Sequence, residues 1–226
     1  MKRQWCIGQV TGEYLARLED VLHLYSLPMD EKRPVVCFDE LPVQLLDEVC
    51  APLPMKEGRS TRFDYEYERA GTACLLVAFA PLSGRRIVET SQQRTKTDYC
   101  RFMQRVVAMF PQAEKVVLVQ DNLNTHHASS FYENLPPEEA FALAQAFEMH
   151  YTPKKGSWLN MAELELSAIS RICLSRRIGS IEELDREVQA IVKERNELEI
   201  KVEWQFSISQ AREKLGRHYE NVKAKN

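Results

Sequence analysis

The sequence predicts an α/β fold in which a mixed five-stranded sheet is flanked by helices. Three observations carry that reading. Short apolar runs rich in β-branched and aromatic side chains recur at residues 35–38, 72–79 and 116–119, with the length of fully buried strands. Longer stretches repeat their apolar residues at helical spacing, as at 97–109, where Tyr99, Phe102, Met103, Val106 and Val107 form one stripe. The 226 residues are 44% hydrophobic, enough for one substantial core.

Taken in order, residues 11–25 place Tyr14, Leu15, Leu18, Val21, Leu22 and Leu24 at roughly helical intervals, and Pro28 and Pro34 end this lead-in helix just before the first strand. That strand, Val35-Val36-Cys37-Phe38, stops at Asp39-Glu40. Residues 43–49 suit a short helix, and the breaker-rich stretch 51–58 a loop. At 63–68 aromatic and acidic residues alternate, the period-2 pattern of a half-exposed strand. Gly71 reads as a turn, 72–79 as an apolar strand, 81–84 as another turn and 85–88 as a short strand. The result is a meander of three antiparallel strands beginning at the first acid.

After the helix at 97–109, closed by Pro111, comes the strand that ends at Asp121. Residues 124–132 read as a helix, Pro136 begins another, and 147–151 form a final short strand. Two helices follow, one from Ser157 to about Arg176, the other from Ser180, a capping side chain ahead of Glu182 and Glu183, to about Leu198. This order of elements resembles the ribonuclease-H-like arrangement, in which strands one and four are neighbours.

Composition narrows the chemistry. The six cysteines (Cys6, Cys37, Cys50, Cys74, Cys100, Cys173) stand singly, several inside apolar runs, so reduced structural thiols are expected. No apolar run approaches the roughly 18 residues of a membrane helix, and Met1-Lys2-Arg3-Gln4-Trp5-Cys6 lacks the apolar core of a signal peptide, so a cytoplasmic location is expected. A formal charge of -3 gives no overall attraction to a polyanion. Such contacts would depend on local cations: Arg85 with Arg86, Arg94 with Lys96, Lys154 with Lys155, or Arg171 with Arg176 and Arg177, each of which also reads as ordinary solvated charge.

Two apolar strands end at acids, the first at Asp39 and the fourth, Val116-Val117-Leu118-Val119-Gln120, at Asp121-Asn122. Side by side in one sheet they bring Asp39 and Asp121 together. A third carboxylate comes from Gly156-Ser157-Trp158-Leu159-Asn160-Met161-Ala162-Glu163, where a turn opens a helix. Hard cations such as Mg²⁺ and Mn²⁺ take oxygen ligands, and two of them about 3.5–4 Å apart activate a nucleophile on one side and stabilise a leaving oxygen on the other. Glu165 competes with Glu163 for the third place. The two lie about 200° apart round a helix, and periodicity alone does not choose. Glu40 points to the opposite side of its strand from Asp39 and reads as structural support.

Neighbouring His126 and His127 cannot readily share one ion, and no cysteine or third histidine lies nearby, so a zinc site is not expected. His126 and Asn122 read instead as hydrogen-bonding support for a metal centre or a phosphate. Trp158 suits either a core plug or a stacking platform.

These motifs, Cys37-Phe38-Asp39-Glu40, Gln120-Asp121-Asn122-Leu123-Asn124-Thr125-His126 and Tyr151-Thr152-Pro153-Lys154-Lys155-Gly156-Ser157-Trp158-Leu159-Asn160-Met161-Ala162-Glu163, resemble the catalytic domain of DDE transposases of the mariner-like superfamily, in its bacterial insertion-sequence branch. The last motif is the most specific, and the resemblance selects Glu163 over Glu165. It extends from about Trp5 to His218, and implies a lead-in segment at 1–33, a ribonuclease-H-like catalytic domain at 34–200 and a tail at 201–226.

By that resemblance Asp39, Asp121 and Glu163 bind two Mg²⁺ or Mn²⁺ ions. Asn122, His126, Lys154, Lys155, Trp158 and Asn160 then support the site or contact DNA. The implied reaction is phosphodiester cleavage at insertion-sequence ends followed by strand transfer, on double-stranded DNA, by a homodimer, in the cytoplasm at the nucleoid. The chain departs from the family in a longer stretch between Asp121 and Glu163, expected to lie in the helix after Pro136-Pro137, and in the short segment before its first strand, from which an end-recognising helix-turn-helix is expected to be missing. A second reading is a truncated, non-catalytic remnant acting as a DNA-binding or dimerising regulator. A third, another ribonuclease-H-like nuclease, is disfavoured by the motif at 156–163.

Overall fold

The computed structural model describes residues 10–224 apart from Pro52 and Phe63. Trp5, Cys6 and Phe63, which enter the sequence reading, lie outside the described residues. Five strands, β1 (Val35–Glu48), β2 (Tyr67–Ala80), β3 (Arg85–Ser91), β4 (Val116–Gln120) and β5 (Phe147–Tyr151), form one sheet in the order β3-β2-β1-β4-β5. The pairs β1/β2 and β2/β3 are antiparallel, whereas β4 runs parallel to both β1 and β5. The sheet is mixed, as expected, and β1 and β4 are neighbours.

Side-chain alternation along β1 separates two cores. Val36 and Phe38 face one side, where with Leu76, Ala78, Val116 and Leu118 they meet α2 (Lys96–Ala108), α3 (Ser129–Tyr132) and α4 (Pro137–Gln145) through Tyr99, Phe102, Phe131 and Leu143. Cys37 faces the other side, packed with Val117 and Val119 against Leu15, Leu18 and Leu22 of α1 (Gly12–Ser26). Further along this second face, Val43, Leu45, Leu75 and Val77 lie under α5 (Ala162–Cys173) and α6 (Ile181–Glu197). Each fully buried apolar side chain of this kind contributes about 1.5–3 kcal/mol.

Helix starts follow capping chemistry. Thr11 accepts a hydrogen bond from the Tyr14 N–H at 3.1 Å, Thr95 and Asp98 form a reciprocal capping box on α2, and Ser180 accepts from Glu183 at 3.1 Å. The tail is helical too, in α7 (Ile208–Lys214) and α8 (Gly216–Lys223), and its Ala211 and Leu215 share the core of α1.

Four elements differ from the sequence reading. Residues 43–49 are not a helix: β1 continues to Glu48, with Val43 and Leu45 buried and Gln44 exposed, because β2 offers a partner over that whole length. Gly71 does not turn the chain. It lies inside β2 at φ +123°, opposite a register shift at Leu45/Leu46, and supplies the backbone freedom of a β-bulge. Of the strand read at 63–68, Phe63 lies outside the described residues, 64–66 are not strand, and Tyr67 and Glu68 open β2.

In the predicted helix 124–132 only Ser129–Tyr132 is helical. The carbonyls of Thr125 and His126 are taken by the side chains of Ser130 and Gln120 instead. The helix from Ser157 is broken, a 3₁₀ turn at Ser157–Leu159 being followed by extended Asn160 and then by α5.

The turn from β2 to β3 depends on Gly84, at φ +73°, where an added Cβ would stand 2.8 Å from the carbonyl carbon and oxygen of Glu199. Substitution Gly84→Ala combines left-handed strain with a backbone clash and is expected to lower unfolding free energy by about 2 kcal/mol or more. Urea denaturation checks this, and an unchanged midpoint would contradict the close approach of the two segments.

Candidate active site

Cys37 pairs with Val119 in the parallel ladder between β1 and β4, and Asp39 and Asp121 each follow two residues later. Equal offsets in parallel strands spaced about 4.8 Å apart leave the two acids side by side. On β1, Asp39 shares the face of Cys37, towards α5, while Glu40 shares that of Phe38. The sequence reading placed Glu40 there, and the structure shows what it supports.

His126 lies between Asp121 and Glu40, buried, with Nδ1 hydrogen-bonded to Asp121 Oδ1 and Nε2 3.1 Å from Glu40 Oε1. Beneath it the Tyr99 ring stacks at 5.1 Å and the Phe38 ring meets it edge-on at 5.0 Å. Tyr99 donates its hydroxyl to Gln120 Oε1 at 2.9 Å, and Gln120 donates to the His126 carbonyl at 3.0 Å. Burial opposes charging of the imidazole, but the hydrogen bonds it donates to Asp121 and Glu40 outweigh it and raise its pKa to about 9. His126 is therefore cationic at neutral pH and pairs with Asp121. Sequence reasoning missed Gln120 and Tyr99, although a buried amide closing an apolar strand was the available signal.

Asn160, 1% exposed, ties the first acid to the third. Its Nδ2 donates to the Phe38 carbonyl at 2.7 Å and to Asp39 Oδ2 at 3.3 Å, while its Oδ1 accepts from the Ala162 N–H at 3.1 Å and caps the start of α5. Tyr25 of α1 fastens the same turn, donating to the Leu159 carbonyl at 2.8 Å. In this frame Glu163 is exposed in the first turn of α5. Glu165 faces inward, 1% exposed, paired with Arg86 and Arg195. Geometry thus separates the two glutamates where periodicity could not.

Burial raises the pKa of Asp39 to about 7, helped by the charges of Glu163 and Asp121 and opposed by the Glu40 N–H and by His126. Among the described residues no three His, Cys, Asp or Glu side chains close into a ready-made cation cage, and Asp121 is turned to His126. The donor set is of the kind a hard divalent ion takes: Asp39 is buried and feels the charges of both Glu163 and Asp121, and the cost of ionising it there is what a cation relieves.

The other predicted residues are placed as follows. Lys154 and Lys155 are exposed on the turn between β5 and the 3₁₀ segment, Lys155 at φ +64°. Asn122 is exposed just past Asp121. Trp158 is 47% exposed, with one face against Trp204, 6.4 Å away, and near Phe206. Not every basic pair is a free patch. Arg86 is buried, Lys96 pairs with Glu133, Arg176 with Glu183 and Glu187, and Arg177 with Glu48. Cys37, Cys74, Cys100 and Cys173 are buried free thiols and Cys50 is exposed. Among the described residues no helix is long and apolar enough to cross a membrane.

Comparison with known proteins follows the same lines. The chain is similar in structure to the Mos1 mariner paired-end complex with Mn (TM-score 0.58, 15% identity, 99% of this chain and 66% of that one). It is similar also to the Mos1 strand transfer complex (TM-score 0.57, 13% identity, 99% and 66%) and to the mariner Mos1 paired-end complex with Mg (TM-score 0.52, 13% identity, 99% and 66%). At these identities the likeness is one of fold, ribonuclease-H-like, and the chain spans about two thirds of the length of those transposase chains. No curated protein matches it by sequence. A sequence model described as DDE superfamily endonuclease matches residues 34–185, a span that contains β1 to β5, all three acids and the capping Asn160, and the chain belongs to that family.

Proposed function

We propose that the chain is a transposase catalytic domain that cleaves DNA phosphodiesters and transfers the freed strand, using Mg²⁺ or Mn²⁺ held by Asp39, Asp121 and Glu163. The observation that carries this reading is the equal register of Asp39 and Asp121 on parallel neighbouring strands, with Asn160 bonded both to Asp39 and to the start of the helix that carries Glu163. When bound, two such cations activate a water or a 3′-hydroxyl and stabilise the departing oxygen. The protein's own groups bind and orient. His126 and Glu40 fix the direction of Asp121, and Asn160 fixes that of Asp39. Asn122, exposed next to Asp121, and Lys154 and Lys155, exposed on the turn that leads to α5, supply contacts to phosphate, and the exposed part of Trp158 offers a surface for a base or sugar.

The DNA is double-stranded, comprising transposon ends and a target, and the working form is a homodimer on it. Support comes from the family and from the titles of the similar structures, which describe paired-end and strand transfer complexes of Mos1. The domain division at 34–200 fits the family span of 34–185, although α1 and the tail share a core with β1 and β4.

Nicking of supercoiled plasmid DNA tests the catalytic reading. Activity is expected with Mn²⁺ and to cease with a chelator, and D39N, D121N and E163Q are each expected to lose about 100-fold or more, since each removes a ligand acting only with the others. Equal nicking by D121N and the parent would overturn it.

Cation binding is also expected to depend on pH. Because Asp39 titrates near 7, folding is disfavoured as pH rises from the ordinary carboxylate range to about 7, where the unfolded chain is ionised and the folded one is not. A cation that requires ionised Asp39 should bind about tenfold more tightly at pH 8 than at pH 6. Calorimetric titration with Mn²⁺ at the two pH values measures this, and equal affinities would exclude Asp39 as a ligand.

A further inference from the structure

Apart from the site of the three acids, one cluster of buried charges among the described residues is not used by the chemistry above. Arg86 of β3 has a side chain with no exposure, Glu165 of α5 is 1% exposed, and Arg195 of α6 is 18% exposed. Arg195 grips Glu165 as a fork, Nε to Oε1 at 2.7 Å and Nη2 to Oε2 at 2.9 Å. Arg86 Nε stands 3.0 Å from the same Oε1, at an angle too bent for a hydrogen bond, and its guanidinium lies 5.0 Å over the Phe79 ring. Asn196, next to Arg195, exchanges two 2.9 Å hydrogen bonds with the Arg86 backbone, so α6 takes the place of a partner strand along the edge strand β3.

Buried ion pairs of this kind give little net stability, because apolar side chains of equal volume would fill the space as well. What they supply is geometry: a planar fork accepts a carboxylate in one orientation. Glu165 is two residues from Glu163, about 200° round the same helix. Its capture from the inner side therefore sets the rotation of α5 that leaves Glu163 on the outer side, in the turn capped by Asn160. One clamp on each side of the helix then determines where the third acid stands.

We propose that Glu165, clamped by Arg86 and Arg195, is a positioning residue that fixes the rotation of α5 and thereby holds Glu163 at the cation-binding patch. This rests on the reading of Asp39, Asp121 and Glu163 as cation ligands. The test is Mn²⁺ affinity by calorimetry on the full chain, well below the unfolding midpoint, with thermal unfolding recorded in parallel. Four proteins are compared: the parent, E163Q, R195K and the apolar replacement R86M/E165L/R195M. R195K keeps the charge and loses the fork, whereas the triple variant removes all three buried charges together.

E163Q is expected to weaken Mn²⁺ binding, and R195K and the folded triple variant to weaken it about tenfold, the usual effect of losing a supporting group behind a ligand. Weakening in variants that unfold at the parent's temperature supports positioning rather than stability. If E163Q weakens binding while R195K binds as the parent does, the positioning role is overturned and the cation site stands. Unaltered binding by E163Q removes the cation-site reading and this proposal with it. Should the triple variant not fold, R195K decides.

Discussion

The parallel pairing of β1 with β4 is the contact on which the rest of the site depends. Three register pairs, Val35 with Val117, Val36 with Leu118 and Cys37 with Val119, bring two sequence-distant acids to the same height on adjacent strands. The register is enforced from both faces: Val36, Phe38 and Leu118 belong to one core, Cys37, Val117 and Val119 to the other. A slip of one residue would exchange those faces, burying the wrong side chains and sending one acid to the far side of the sheet. Apolar packing thus provides the precision that an assembly of like charges cannot provide for itself.

That assembly is costly to hold without a counter-charge. Burial is the main cost of ionising Asp39, and the charges of Glu163 and Asp121 add to it. The protein offsets this with neutral donors and one cation. Asn160 and the Glu40 N–H solvate Asp39, and His126, held in its charged form by Glu40, partners Asp121. Because Tyr99 and Phe38 pack on the imidazole and Gln120 holds the His126 carbonyl, its position is set by the same core that sets the strand register. Packing, hydrogen bonding and charge are arranged in successive layers behind the same two strand ends.

The parts legible in the sequence were those written in local patterns. Apolar runs ending in acids gave β1 and β4, apolar residues at helical spacing gave α1 and α2, and a capping serine gave α6. Opposite parity along β1 was enough to turn Glu40 away from Asp39. What local pattern could not reveal was decided by partners distant in the chain. Residues 43–49 carry apolar spacing compatible with a helix and became strand because β2 pairs with them. Gly71 looked like a turn and serves as a bulge for the same reason. Arg86 stood beside Arg85 as part of a basic pair, although its alternation with Val88 already assigned it to the buried face of β3. The choice between Glu163 and Glu165 needed Arg195, thirty residues away, to show which glutamate the interior claims.

The central claim is that Asp39, Asp121 and Glu163 together hold divalent cation. Crystals of the chain grown with Mn²⁺, with anomalous scattering recorded at the manganese edge, test it most directly. The account predicts anomalous density between the Asp39 and Asp121 carboxylates, within roughly 2.0–2.3 Å of their oxygens as befits a small hard cation, with Glu163 turned towards it. Saturating Mn²⁺ that leaves no density there, with Asp121 still directed only at His126, would contradict it.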